Sequence, residues 1–217
     1  MSVLIPGIQT ARKKAASIAC LNNLRQTGMI FAEYENIYDG IYPLSCSNSY
    51  WLEGLYQVLR YDRKKMTFYC PATKPPRYSY VYTYGRFNAT FGEPFQKKFG
   101  GEKNFIYYSS GGKSWYDIRR MKNLSSYIYL SCSVNGAVIP GDLPRIGLPF
   151  YSMNPKSGGK GGMFLVHPGD CCGSLYMDGH ASMQSLSALQ YYFKDAAYCR
   201  GASDSILRNQ TAEFIPF

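Results

Sequence analysis

At 217 residues, with 46% hydrophobic and 18% charged side chains, the chain is long enough to bury a core and too apolar for intrinsic disorder. Its 24 Lys and Arg outnumber 14 Asp and Glu to give +10, yet the basic clusters Arg12-Lys13-Lys14, Arg63-Lys64-Lys65, Lys97-Lys98 and Arg119-Arg120 are scattered, as on an ordinary solvated surface. No window reaches the roughly 18 to 20 consecutive apolar residues of a membrane span, and residues 1–5 are too few for a signal peptide.

The first predicted element is one long helix from Val3 to Gly40. At about 100° per residue, Ile18, Leu21, Leu24, Gly28, Met29, Phe31 and Ala32 share an arc that should pack on something apolar. Ahead of them the character changes: Val3-Leu4-Ile5 is a short apolar run, followed by Pro6-Gly7 and then by alanines around the basic cluster. This half is expected to be the end of a longer apolar segment. Asp39-Gly40 supplies residues that tolerate the left-handed conformation at a helix exit, and Pro43 forbids resumption.

A second, shorter amphipathic helix is predicted over Tyr50 to Arg60, where Trp51, Leu52, Leu55, Val58 and Leu59 recur at helical intervals. Met66 to Cys70 is expected to be a short strand. Arg77 to Phe87 alternates strictly and places Tyr78, Tyr80, Tyr82 and Tyr84 on one strand face. Such a row can stack bases or sugars, but tyrosines also pack well against a helix with their hydroxyls at the rim. Asn88 to Gly112 offers one short strand at Phe105 to Tyr108, and Trp115 to Lys122 is compatible with helix or loop. Ser126 to Ser131 is a core strand, Val134 to Phe150 and Asn154 to Gly162 are loops, and Ala188 to Tyr198 is a terminal helix ahead of a polar tail. Phe214, Ile215 and Phe217 are expected to dock back on the body.

The most informative stretch runs from Phe164 to Met183. Phe164 to His167, Ser174 to Met177 and His180 to Met183 read as three strands of one antiparallel meander, with a type I′ turn at Asp178-Gly179. His167, Asp170, Cys171, Cys172, Asp178 and His180 lie close together here. His167, Cys171 and Asp178 are the set a Cys-His hydrolase or a metal enzyme would use, although no strained nucleophile turn or metal-type spacing supports it. Asp170, Asp178 and Asp204 offer oxygen ligands without the spacing of a calcium loop. The seven cysteines, Cys20, Cys46, Cys70, Cys132, Cys171, Cys172 and Cys199, contain no C-x-x-C pair and no zinc-type spacing; Cys46 with Cys70 would close the shortest disulfide loop apart from the adjacent couple. No catalytic residue, cofactor or metal is assigned from the sequence.

Several segments together resemble the type IV pilin-like proteins and type II secretion pseudopilins that carry a prepilin-type N-terminus and a C-terminal H-X9-DG domain. Leu4-Ile5-Pro6-Gly7-Ile8 through Ala11-Arg12, then Cys20-Leu21-Asn22-Asn23-Leu24-Arg25-Gln26, is similar to that family's opening helix. Tyr69-Cys70-Pro71 and Ser79-Tyr80 are similar to its "CP" and "SYGYN" elements, and Ser125 to Ser131 to its "SxxILFAD" strand. His167 with Tyr176-Met177-Asp178-Gly179-His180 resembles the H-X9-DG motif, with ten intervening residues between His167 and Asp178 in place of nine.

The resemblance implies an α+β, pilin-like fold: a long N-terminal α-helix packed on an antiparallel β-sheet, with additional short helices and long loops. It divides the chain into the helix of residues 1–40 and a β-rich head of residues 41–217, the latter including the 164–183 hairpin region. It implies a structural filament subunit and no enzyme, preceded in the native protein by a leader and a longer apolar anchor. The subunit would be held in the cell inner membrane by a single span, with its head in the periplasm or on an extracellular filament, while the present chain alone would be soluble. Ile5, Ile8, Ala11 and Ala15 would pack between helices in the filament, and Ile18, Leu21, Leu24, Gly28 and Phe31 would face the sheet. His167, Asp178 and Gly179 would be structural. The expected partners are other pseudopilin subunits and the secretion or pilus assembly machinery. DNA or another anionic ligand is the alternative partner, suggested by the +10 charge and the tyrosine row.

Overall fold

The computed structural model describes residues 4–45, 51–60, 66–73, 83–87, 99–100, 105–108, 114–134, 152–153, 162–194, 205–208 and 213–216. The fold is α+β. Helix α1 (Leu4–Ile37) is followed by strand β1 (Ile41–Ser45), helix α2 (Trp51–Leu59) and strands β2 (Gly85–Phe87), β3 (Ile106–Tyr108), β4 (Ser114–Asp117), β5 (Ile128–Ser131), β6 (Ser133–Val134) and β7 (Ser152–Met153). Then come β8 (Gly162–Leu165), β9 (Cys171–Tyr176), β10 (Ala181–Ser185), helix α3 (Leu186–Lys194), β11 (Ser205–Arg208) and β12 (Glu213–Pro216).

The strands form three sheets rather than the single one expected, in the orders β1-β4-β3, β10-β9-β5-β2-β7 and β12-β11-β8-β6. Pairing is antiparallel except for β2 with β7 and β8 with β11. The central sheet is pinned by Leu130 opposite Leu175 and Ser131 opposite Ser174, and β9 continues into β10 with Leu175 opposite Ala181.

Helix α1 tolerates Pro6 because the ring falls in the first turn, where backbone N–H groups have no helical acceptor. It ends as the composition requires: Asp39 and Gly40 both take positive φ, 48° and 80°, and the Gly40 N–H donates to the Glu35 carbonyl at 3.0 Å, closing a Schellman-type exit. Arg119 lies over that exit and pairs with both Asp39 and Asp117. A Cβ on Gly40 would stand 2.7 Å from the Arg119 Cγ, so glycine is required here on two counts.

The buried face of α1 is displaced from the apolar arc. Cys20, Leu24, Thr27 and Phe31 are buried at the spacing of one helical stripe, with Gly28 and Ile30 beside them. Leu21 is half-buried, whereas Ile18 is 63% exposed, and Met29 and Ala32 also face solvent. The reason lies in Cys20 and Thr27, which a hydropathy pattern does not weight. Cys20 enters a cluster of thiols, and the Thr27 hydroxyl bonds the carbonyls of Asn23 (2.8 Å) and Thr67 (3.0 Å), turning the helix toward the segment before Cys70.

Beyond the helix the core is aromatic. Phe31 meets Tyr42 at 5.4 Å, Trp51 at 5.5 Å and Tyr129 edge-on at 4.8 Å. The buried Tyr116 and Tyr127 hydroxyls satisfy each other at 2.8 Å, and the Trp51 indole N–H donates to the Tyr84 carbonyl at 3.0 Å.

Several local expectations change. Met66 to Cys70 is not a strand but opens with a 3-10 turn at Met66–Phe68, and Trp115 to Lys122 splits into the end of β4 and a 3-10 turn at Ile118–Arg120. Of the Arg77 to Phe87 strand, Gly85–Phe87 is strand and Tyr84 is buried; Tyr78, Tyr80 and Tyr82 lie outside the described residues. So do most of the two loops, 134–150 and 154–162, together with Cys46 and Cys199. The Phe164 to Met183 meander is divided, because β8 joins a different sheet from β9 and β10. At its tip only Gly179 has positive φ, 87°, and its N–H bonds the Tyr176 carbonyl at 3.0 Å. That is a type I turn with a glycine bulge, not the type I′ turn expected. The terminal helix starts at Leu186, and the segment after it carries β11 and β12, which join the third sheet.

Candidate metal centre

Four chain segments converge behind α1. Cys20 comes from the buried stripe of the helix. Cys70 follows the 3-10 turn and is anchored from both sides: the Asn23 side chain donates to the Tyr69 carbonyl at 2.9 Å, and the Thr73 amide and hydroxyl both donate to the Cys70 carbonyl, at 3.0 and 2.9 Å. Cys132 lies between β5 and β6, where the chain passes from one sheet to another. Its N–H donates to the Gly173 carbonyl and its carbonyl accepts from Phe164, each at 2.9 Å. His167 closes the set, held where β8 turns toward β9 by two backbone hydrogen bonds with Cys171, across a turn in which Gly169 and Asp170 have positive φ.

The three sulfurs and the imidazole lie within 4.8 Å of one another, and all four residues are at most 4% exposed. Cys20 Sγ is 3.5 Å from Cys132 Sγ; His167 Nε2 is 3.4 Å from Cys70 Sγ and 3.6 Å from Cys132 Sγ. A shell of polar partners surrounds them. Tyr84 Oη lies 3.3 Å from Cys20 Sγ, and Ser17 Oγ lies 3.2 Å from His167 Nδ1 while donating to the Lys13 carbonyl at 3.1 Å.

Crowding makes the thiols unequal. Burial disfavours a Cys70 thiolate, but the thiols of Cys132 and Cys20 and the His167 ring more than offset it, so Cys70 titrates well below an ordinary thiol. For Cys20 the contact with Cys132 favours the thiolate, yet the contact with Cys70, burial and the Cys70 charge outweigh it and push the thiol up. Burial, then the contacts with Cys20 and Cys70, likewise push Cys132 up. Protein groups alone therefore stabilise one negative charge in the cluster and resist a second and third.

The residues singled out from the sequence are distributed differently. The side chains of His167, Cys171 and Asp178 take different partners, although the His167 and Cys171 backbones pair. The His167 ring engages Ser17, Cys70 and Cys132; Cys171 directs its thiol to the Gly169 carbonyl at 3.3 Å; Asp178 holds the His180 ring at 2.6 Å. Cys172 is fully buried and pushed up to about 11 by that burial. Of the three oxygen ligands considered, Asp204 lies outside the described residues. The Asp178-Gly179 turn sits instead on the helix, where a Cβ on Gly28 would be 3.0 Å from the Gly179 carbonyl oxygen. Ile8, Ala11 and Ala15 are exposed along α1, and the Ile5 side chain lies outside the described residues. Cys70, considered for a disulfide with Cys46, is a free thiol, as are Cys20, Cys132, Cys171 and Cys172.

Spacing rules miss the cluster because its members are 35 to 112 positions apart where they touch. A usable signal was present nonetheless: Cys20, Cys70 and His167 each fall in a segment that carries the pilin-like resemblance, and Cys132 directly follows the core strand that carries another part of it. No helix among the described residues is long and apolar enough to cross a membrane. A comparison of the chain with protein-family models, curated proteins and solved structures finds no match.

Proposed function

We propose that this chain is a non-enzymatic structural subunit of a type II secretion pseudopilus or type IV pilus-like filament, with a pilin-like head. The observation that carries the reading is the division of α1. Its second half is packed on β9, β10 and β1, while residues 6–15 are exposed on the same continuous helix. A 34-residue helix that uses only half its length for its own head has a face left for other subunits. The N-terminal resemblance supports a subunit whose helices bundle in a filament core and which an apolar anchor would hold in the inner membrane. Ile8, Ala11 and Ala15 would supply helix contacts, and Arg12, Lys13 and Lys14 would lie near the lipid headgroups or pair with neighbouring subunits.

Fractionation of the native cells tests this. The chain, detected with antibody to the head, should sediment with the inner membrane, and a photo-crosslinker replacing Ile8 should trap subunit dimers. Recovery of the native product in the soluble fraction, with no crosslinked species, would overturn the reading.

A further inference from the structure

We propose that Cys20, Cys70, Cys132 and His167 bind one zinc ion, which ties the opening helix to the head. The inference is independent of the filament reading. A tetrahedral zinc ion with ordinary bond lengths places sulfurs about 3.8 Å apart and sulfur about 3.5 Å from nitrogen. The separations of 3.5, 3.4 and 3.6 Å match this within a few tenths of an ångström. The widest pair, within 4.8 Å, needs to close by about 1.3 Å at most.

The surroundings fit a closed structural site. Ser17 donates its own proton to the Lys13 carbonyl, so its oxygen accepts from His167 Nδ1–H. That fixes the tautomer and leaves the Nε2 lone pair directed at the sulfurs, as a metal-bound imidazole requires. Zinc binds the three sulfurs as thiolates, with release of whatever thiol protons remain, and Zn²⁺ with three thiolates and a neutral imidazole carries one net negative charge. The Tyr84 hydroxyl lies 3.3 Å from both the Cys20 sulfur and the Cys20 carbonyl oxygen, so with Cys20 a thiolate its one proton is shared between them and takes up part of that charge. Three thiolates and one imidazole, buried without a position open to substrate, select zinc in a structural role.

Metal analysis of protein purified without chelator should give one zinc per chain. Cobalt exchanged into the site should show thiolate-to-cobalt charge transfer and the visible bands of a tetrahedral ion. Site-resolved alkylation should leave Cys20, Cys70 and Cys132 protected until a chelator is added. Cys132→Ser and His167→Ala should lose most of the zinc, Cys171→Ser should keep it, and His167→Cys should retain it in a four-thiolate site. Should the first two variants fail to fold, the wild-type cobalt spectrum and the chelator dependence of alkylation decide alone. Metal-free folded protein that takes up no cobalt, a Cys20–Cys132 disulfide found by mass spectrometry, stoichiometric iron in place of zinc, or zinc content unchanged in folded Cys132→Ser would each overturn the assignment.

Discussion

Gly173 lies directly against Cys20: a Cβ added to it would stand 2.8 Å from the Cys20 sulfur and 2.9 Å from Leu24 Cδ1, with Cys132 Sγ 3.6 Å away. Strand β9 therefore approaches the helix as closely as a backbone can, and its carbonyl receives the Cys132 N–H from the other side. Gly173→Ala must push the helix from the sheet or displace a sulfur. The expected loss is roughly 1 to 3 kcal/mol, the usual cost of overpacking a rigid core. Thermal unfolding of the variant beside wild type measures it. A wild-type midpoint would show that the helix and strand are not in this contact.

Asp117 fastens the other end of the helix. Its buried carboxylate accepts from the Arg119 amide at 3.2 Å and the Arg119 Nε at 2.8 Å, and it lies 3.3 Å from the Arg120 Nε, while Arg119 also reaches Asp39 across the Gly40 exit. The hydrogen bonds from Arg119 hold the Asp117 carboxyl below its usual range, against the opposing effect of burial. A carboxyl with a depressed folded pKa stabilises the native state above its unfolded pKa of about 3.9, and the contribution is lost as pH falls through the lower folded value. Asp117→Asn is expected to cost on the order of 1 to 2 kcal/mol near neutral pH, because both arginines are half in water. The difference from wild type should shrink on acidification below pH 4. Denaturant unfolding at a series of pH values tests both parts, and a difference that persists undiminished in acid would assign the loss to packing instead.

Much of this architecture is legible in the residues, and the limits are physical. The helix is readable because its signals are local: alanines, spaced apolar residues, and an Asp-Gly exit whose conformation those residue types favour. Its buried face is not, because that face is chosen by Cys20 and Thr27, whose partners lie across the fold at Cys132 and Thr67. The Asp178-Gly179 turn is readable as a hairpin, but not its type, since Asp178 keeps negative φ once Gly179 alone supplies the bulge. The metal ligands share no segment at all. Only sheet topology, which carries Cys132 from β5 to β6 and His167 from β8 toward β9, makes them neighbours.

The thiols of β9 give a prediction that bears on the hydrolase alternative. Cys171 is half-buried, and burial followed by the Asp170 carboxylate raises its pKa. Its alkylation should therefore be slow at neutral pH and accelerate as pH rises toward and past the ordinary thiol range, because the thiolate is the reacting form. Cys172, fully buried, should not react in folded protein. Peptide mapping after timed iodoacetamide treatment separates the two. Rapid labelling of Cys171 at pH 6 would reveal an activated nucleophile and favour the enzymatic reading over the structural one.

The exposed half of α1 separates folding from assembly. Ile8 is 49% exposed and lies in the stretch of residues 6–15 that is exposed throughout, so Ile8→Glu removes little buried surface from the head. The isolated head should unfold within about 0.5 kcal/mol of wild type, the ordinary range for a surface change. In a filament core the same carboxylate would be desolvated among apolar helices with no partner fixed for it, which is costly. Assembly should then fail while the folded subunit accumulates, as read by the amount of sheared filament against total subunit in native cells. Normal filament yield from Ile8→Glu would remove this helix face from the proposed subunit contact. Loss of the folded head instead would mean that Ile8 serves the domain itself.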